Sequence, residues 1–184
     1  MLKNKTILVT GGTGSFGSTF VKKLLADGDV SEIRVLSRDE KKQEDMRNSL
    51  NDDKVKFFIG DVRDRDSVCQ AMSGVEFVFH SAALKQVPSC EFHPLQAMKT
   101  NVIGAENVIE AANRYNVKKV IFLSTDKAVN PINAMGMTKA LRASHLIGPR
   151  SMMITAWKTG RTHSRSDGSI RIQMNGMRRL KSTR

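Results

Sequence analysis

The feature that most constrains this 184-residue chain is a glycine-rich segment near its start. A short apolar run at residues 5–10 leads into TGGTGSFG, and an amphipathic stretch begins at residue 16. Glycines let a chain turn tightly and approach a phosphate, whose charge the free amides of a following helix can bind. A strand, this turn and a helix together predict a dinucleotide site. Its predicted residues are Gly11, Thr13, Gly14, Ser15, Phe16 and Gly17.

Short β-branched runs alternate with amphipathic stretches up to about residue 140, which is typical of a parallel sheet covered by helices on both faces. The predicted strands span residues 5–10, 32–37, 55–59, 77–80 and 120–123, and the predicted helices span residues 16–25, 41–50, 66–72 and 102–115. Right-handed crossovers then give a doubly wound α/β fold of the Rossmann type.

The residues after the second predicted strand bear on the choice of dinucleotide. The strand ends at Ser37, Arg38 follows, and Lys42 lies one helical turn further on. Cations here accommodate the 2′-phosphate of NADP, whereas an acid would bind the ribose hydroxyls of NAD. We therefore expect NADP. Asp39 leaves NAD open, because a shift of one residue in register would place an acid there, and a solvated helix start without any ligand is a third interpretation.

Two further strand ends carry residues suited to a dinucleotide. Asp61 and Val62 follow the third strand, where they would contact the adenine. Ala82 and Ala83 follow the fourth strand, where small side chains would let a ligand pass close to the main chain. Because ligands of such folds bind at the carboxyl ends of the strands, we expect these residues and the glycine loop to line one site.

The chain changes character after about residue 141. Residues 141–184 hold ten Lys or Arg and one acid, a charge of +9 out of the total of +12, and lack periodicity apart from an apolar cluster at 152–157. We expect one domain over residues 1–145, truncated relative to a complete fold, and an irregular basic tail over residues 146–184. The tail is interpreted as disordered or as the product of a frameshift, with a natural basic appendage as the alternative.

Composition excludes several other classes of protein. No run of about 18 apolar residues is present, so we expect a cytoplasmic chain without a membrane span. Cys69 and Cys90 show no paired spacing, and the four histidines show none typical of zinc, so neither a disulfide nor a metal is expected. The tail lacks interleaved aromatics beyond Trp157, and we expect no nucleic-acid partner.

Several segments together carry a resemblance to a known family of enzymes. They are residues 10–17, 37–43, 60–64, 82–88, 99–107 and 124–139. On these residues the chain resembles the UDP-N-acetylglucosamine 4,6-dehydratases of bacterial capsule and surface-polysaccharide biosynthesis. These enzymes belong to the extended short-chain dehydrogenase/reductase superfamily.

The resemblance implies a lyase that acts on a UDP-sugar. A hydride passes from sugar C4 to NADP, water is lost across C5 and C6, and the hydride returns at C6, with C5 inverted in the capsule-type enzymes. It implies that Asp126 is the acid and Lys127 the base. It also implies that Thr125 binds the C4 oxygen, that Lys139 holds the nicotinamide ribose, and that Lys85 lies beside the cofactor and the sugar nucleotide.

The resemblance covers about the first 140 residues and does not continue into the rest of the chain, where the family has another strand and then a substrate-binding domain. We therefore expect weak NADP binding and little turnover from this chain. Family members form homo-oligomers, but we expect that a truncated subunit lacks the surfaces that this assembly requires.

Met135 departs from the superfamily pattern, which has Tyr four residues before the ribose-binding Lys139. A thioether cannot transfer a proton. Met135 therefore counts against a UDP-sugar 4-epimerase, which is the alternative within the superfamily. The alternative outside it is a non-catalytic dinucleotide-binding protein whose basic tail contacts nucleic acid or membrane.

Overall fold

All the strands of the sheet are parallel. Strands and helices follow one another along the chain as the alternating apolar runs and amphipathic stretches of the sequence predict. The computed structural model describes residues 2–124, 128, 131–145 and 153–158. The elements in chain order are β1 Thr6–Thr10, α1 Ser15–Ala26, β2 Glu32–Ser37, α2 Glu40–Leu50, β3 Val55–Ile59, α3 Arg65–Met72, β4 Phe77–His80, α4 Val87–Phe92, α5 Pro94–Met98, a π-helical segment Lys99–Ile103, α6 Gly104–Arg114, β5 Lys119–Ser124, α7 Ala134–His145 and β6 Met153–Lys158. No helix in this described part of the chain has both the length and the apolar character needed to cross a bilayer.

The strands lie side by side in the order β3-β2-β1-β4-β5-β6. Pairing aligns Ile7 of β1 with Ile33 on one side and with Phe77 on the other. The chain thus crosses over in opposite directions on the two sides of β1, which is the point at which doubly wound sheets bind ligands.

Two apolar clusters cover the two faces of the sheet, which explains why the strands are apolar at consecutive positions. Leu8 lies in the cluster formed with α3 and α6, whereas its neighbours Ile7 and Val9 lie in the cluster formed with α1 and α2. All three side chains are fully buried. Burial of each such side chain contributes about 1.5–3 kcal/mol, so the sheet is held from both faces.

The structure confirms the doubly wound fold and adds elements that the sequence analysis did not predict. Strands β2, β3 and β4 have the predicted bounds, and β1 and β5 differ from them by one residue at their ends. The additional strand β6 pairs with β5 along its whole length, although it lies in the stretch expected to be irregular. Strands of a parallel sheet need not alternate in polarity, so the apolar cluster at 152–157 was not predicted to be a strand. Residues 146–152 and 159–184 lie outside the described residues.

Helix α1 packs unusually close to the turn that precedes it. A Cβ at Gly17 would lie 2.5 Å from the carbonyl oxygen of Gly11 and 2.6 Å from the Cα of Gly12. Both neighbours are backbone atoms, which cannot move aside as a flexible side chain can. At Gly14, by contrast, the nearest atom to an added Cβ is the same carbonyl oxygen at 3.3 Å.

We expect Gly17→Ala to lower the free energy of unfolding by about 1–3 kcal/mol, because the methyl group overpacks a backbone contact. Gly14→Ala is the matched control and should cost less. Urea denaturation followed by circular dichroism measures both. Equal stability of the two variants would contradict the close approach of α1 to the turn.

Candidate functional site

An open cavity of about 310 Å³ lies at the carboxyl ends of the strands. The glycine loop, the ends of β2 and β3 and the loop after β4 line it. Of the residues predicted to bind the cofactor, the cavity lining contains Gly11, Thr13, Gly14, Ser37, Arg38, Lys42, Asp61, Val62, Ala82, Ala83 and Lys85. The other predicted cofactor residues, which are Ser15, Phe16, Gly17 and Lys139, are not part of this lining.

The glycine loop gives this cavity a floor of main-chain atoms. Gly11 has a φ of +65°, and a Cβ there would lie 2.8 Å from the backbone of Ala82. Helix α1 starts at Ser15 with Gly14 as its N-cap and has no acid in its first turn. The first amides of a helix lack partners within it, so those of Ser15 and Phe16 remain available to an anion.

Thr10 joins the carboxyl ends of β1 and β4. Its carbonyl oxygen accepts hydrogen bonds from the Ser81 amide at 3.1 Å and the Ser81 hydroxyl at 2.6 Å. Its hydroxyl oxygen lies 3.4 Å from the Ala82 amide and 2.9 Å from Nδ1 of the buried His80. Burial, followed by the charges of Arg142 and Lys139, lowers the pKa of His80 well below its usual value. A neutral, buried His80 therefore contacts Thr10 and helps to hold the ends of β1 and β4 together.

Asp39, after β2, and Asp61, after β3, are each paired with a cation. Asp39 caps α2, with the Lys42 amide at 3.0 Å and the Lys42 ammonium at 3.0 Å, and hydrogen bonds from Lys42 lower the pKa of this carboxyl. Asp61 lies 2.6 Å from Nη2 of Arg63 and 3.5 Å from Nη1 of Arg38. Burial raises the pKa of Asp61, but the bonds and charge of Arg63 outweigh it and lower the pKa overall.

Lys139 lies on α7 and is only 6% exposed. Burial, and then the charges of Arg142 and Lys85, lower the pKa of Lys139 to about 7. Met135, one turn earlier on α7, packs against Cys90 and stays buried. Three further predicted catalytic residues, Thr125, Asp126 and Lys127, lie outside the described residues.

A buried amide that the sequence analysis missed joins the loop after β4 to α7. Asn101, in the π-helical segment, is fully buried. Its oxygen accepts from the Leu84 amide at 2.9 Å, and its nitrogen donates to the Leu84 carbonyl and the Thr138 hydroxyl, both at 3.0 Å. One side chain thus fixes the position of the loop that carries Lys85 relative to the helix that carries Lys139. A polar residue on the inner face of a helical stretch was the signal available in the sequence.

Arg142 is a second residue that the sequence analysis missed. It is 3% exposed, donates to the Leu123 carbonyl at 2.5 Å, and lies over the Phe122 ring. Its Nε has no hydrogen-bond partner, and no carboxylate among the described residues lies within ion-pair distance. Burial lowers the pKa of Arg142 to about 10, so it remains charged at neutral pH.

The opposite crossovers on the two sides of β1, the glycine turn and the cavity beside it define a Rossmann-type α/β protein. Within that class, a model of the polysaccharide biosynthesis protein family matches residues 7–158, and the chain belongs to this family. The match includes β6 and passes the domain boundary predicted at residue 145. The chain falls within the wider superfamily of nucleotide-sugar epimerases and dehydratases.

A UDP-glucose 4-epimerase of Rickettsia conorii is 61% identical over 77% of this chain and 42% of its own length. The chain therefore spans less than half of this relative. The structure of Pen from Bacillus thuringiensis has a TM-score of 0.76 and 40% identity, covering 80% of this chain and 45% of Pen. A dTDP-glucose 4,6-dehydratase from Streptomyces venezuelae, with NAD bound, has a TM-score of 0.74 and 24% identity over 83% of this chain and 55% of its own. At that identity it shows the shared fold alone.

These comparisons confirm the superfamily but not the narrower resemblance to UDP-N-acetylglucosamine 4,6-dehydratases. The name of the R. conorii relative corresponds to the 4-epimerase that the sequence analysis held as its alternative. Among the described residues, no group of three or more His, Cys, Asp or Glu is arranged to hold a metal ion.

We expect Lys139 to make stability depend on pH. The pKa of Lys139 is lowered on folding, so between pH 7 and its unfolded value the unfolded chain binds more protons and stability rises with pH. Wild type should gain up to about 1.4 kcal/mol per pH unit relative to Lys139→Met between pH 7 and 8.5. Urea denaturation at the two pH values measures the difference. Parallel pH profiles would show that Lys139 is not desolvated.

We expect Arg142→Met to stabilise the chain by about 1–4 kcal/mol, because an apolar side chain of similar length replaces a buried guanidinium. The same change should raise the pKa of Lys139, since the charge of Arg142 lowers it. Arg142→Ala, which leaves a cavity, is the control. Thermal melts and the pH profile of stability give both readouts, and a lower melting temperature for Arg142→Met would indicate that the guanidinium is compensated.

Proposed function

We propose that this chain supplies the dinucleotide-binding part of an enzyme that oxidises a UDP-sugar at C4. The observation that carries the proposal is the cavity at the crossover of the sheet, where the N-terminus of α1, at its N-cap Gly14, meets a rim of basic side chains. Anions are attracted by both features. The name of the 61% identical relative supports a UDP-hexose as the substrate.

The residues present fit a nicotinamide dinucleotide. The missing Cβ of Gly11 and the small Ala82 leave main-chain atoms at the cavity floor, against which a pyrophosphate packs. Arg38 and Lys42 on the rim favour NADP over NAD, although each is also close to an acid. When bound, the dinucleotide supplies the acceptor for the hydride from C4.

Lys139 is the described residue best suited to proton transfer. Its pKa of about 7 lets it both hold and release a proton at neutral pH. We propose that Lys139 binds the nicotinamide ribose and favours deprotonation of the C4 hydroxyl. Thr125 would bind the C4 oxygen.

The product we propose is the C4 epimer of the UDP-sugar, in agreement with the name of the R. conorii relative. A 4,6-dehydratase is the second candidate, and Met135 is the observation that favours it. The buried thioether occupies the position of the superfamily tyrosine and cannot accept a proton, so proton transfer must fall to other residues. In that reaction Asp126 would be the acid and Lys127 the base.

A deuterium label at C4 of UDP-glucose or UDP-N-acetylglucosamine separates the two reactions. The 184-residue chain, at high concentration with NADP⁺ or NAD⁺, would first be tested for dinucleotide binding by calorimetry. The sugar product would then be analysed by mass spectrometry and NMR. We expect dinucleotide binding and a sugar product that retains the deuterium at C4.

Epimerisation leaves the deuterium at C4, inverts that centre and preserves the mass. Dehydration moves the deuterium to C6 with the loss of one water. Dinucleotide binding without any label transfer would contradict catalysis by this chain, and a folded chain that binds neither dinucleotide would overturn the proposal itself.

A further inference from the structure

We infer that Gln43 is a positioning residue that turns the Ser37 hydroxyl into a donor for the 2′-phosphate of the adenosine ribose. The inference rests on the proposed preference for NADP. Gln43 is not one of the residues that line the cavity. It would act on the nucleotide only through Ser37 and the residues that follow.

Gln43 inserts its amide between the carboxyl ends of two strands. It lies on α2, is 2% exposed, and its Nε2 donates to the Phe58 carbonyl of β3 at 2.7 Å. The same nitrogen lies 2.9 Å from the carbonyl oxygen and 3.1 Å from the hydroxyl oxygen of Ser37, the last residue of β2. A side chain on α2 therefore holds the end of β2 against β3.

The chemistry of the amide fixes the direction of the bond to the hydroxyl. An amide nitrogen carries two hydrogens and has no lone pair available as an acceptor. The Ser37 hydroxyl therefore cannot donate to Gln43. The two amide hydrogens face three acceptors, so one of them is shared between the carbonyl and hydroxyl oxygens of Ser37, and the hydroxyl hydrogen is left to be donated. No acceptor for that hydrogen lies within bonding distance among the described residues, and Ser37 lines the cavity.

The groups around Ser37 match a phosphate better than a pair of ribose hydroxyls. A ribose diol is bound by a free carboxylate, but Asp39 is occupied by Lys42, and Asp61 by Arg63 and Arg38. The Ser37 hydrogen and the half-exposed Arg38 guanidinium remain as donors. A phosphate oxygen only accepts hydrogen bonds at neutral pH, so this set of donors suits it.

Two adenosine nucleotides that lack the nicotinamide test this end of the cavity alone. Calorimetry on the 184-residue chain would give dissociation constants for adenosine 2′,5′-bisphosphate and for 5′-AMP, and their ratio is the readout. A general loss of stability would weaken both nucleotides together, whereas the inferred role changes the ratio. Wild type should bind the bisphosphate more tightly.

Gln43→Glu has nearly the same shape but reverses the hydrogen bond, because a carboxylate accepts the Ser37 hydrogen and adds a negative charge. We expect the preference for the bisphosphate to fall by about tenfold or more. Gln70→Glu, at an exposed position on α3, makes the same change in net charge and should leave the ratio as in wild type. Ser37→Ala removes the donor but leaves the two carbonyl partners of Gln43 in place, and it should lower the preference several-fold. This variant tests the donor if Gln43→Glu does not fold.

The outcomes separate the inference from the function on which it rests. A wild-type chain that binds neither nucleotide would contradict the proposed function. A wild-type chain that binds 5′-AMP as tightly as the bisphosphate, or an unchanged ratio in both Gln43→Glu and Ser37→Ala, would overturn the role of Gln43 while leaving dinucleotide binding intact.

Discussion

The contact between the carboxyl ends of β1 and β4 is the constraint on which the rest of the structure depends. Thr10 holds the two ends together through its carbonyl and its hydroxyl, and Gly11 then lies so close to Ala82 that no side chain fits between them. Because β2 and β5 continue the sheet in opposite directions from this pair, the loops that leave it diverge. The cavity is the space between those loops, and its floor is made of main-chain atoms.

The site has an excess of positive charge, because its acids are paired with cations and some of its lysines are not paired with acids in the part of the chain that the structure describes. The acids near the cavity, Asp39 and Asp61, are each paired with neighbouring cations, while Lys85 and the buried Lys139 form no ion pair with an acid among the described residues. Burial of such charge opposes folding. These charges lower the stability of the ligand-free protein, and binding of an anionic ligand at this place would raise it again.

The sequence was informative wherever a pattern depends on neighbours along the chain. Runs of apolar residues marked five strands, and glycine spacing marked the turn before α1. The sequence failed where a residue's role depends on packing across the fold. Gln43 and Asn101 look like ordinary polar positions of amphipathic helices, and only their burial against distant carbonyls shows otherwise. Arg142 was counted only as one of the ten basic residues of the stretch 141–184. The predicted acid, base and C4-oxygen ligand are residues 125–127, which lie outside the described residues.

In the π-helical segment Lys99–Ile103, the number of residues matters as much as their identity. Its wider turn accommodates one residue more than an α-helix would, and Asn101 sits within it. Deleting a single residue there would restore the regular α-helical repeat, keep α5 and α6 in phase with each other, and move Asn101 out of the wide turn. Asn101 would then no longer reach Leu84 and Thr138 at once. Insertions and deletions should therefore be excluded from residues 99–103 even where single substitutions are accepted.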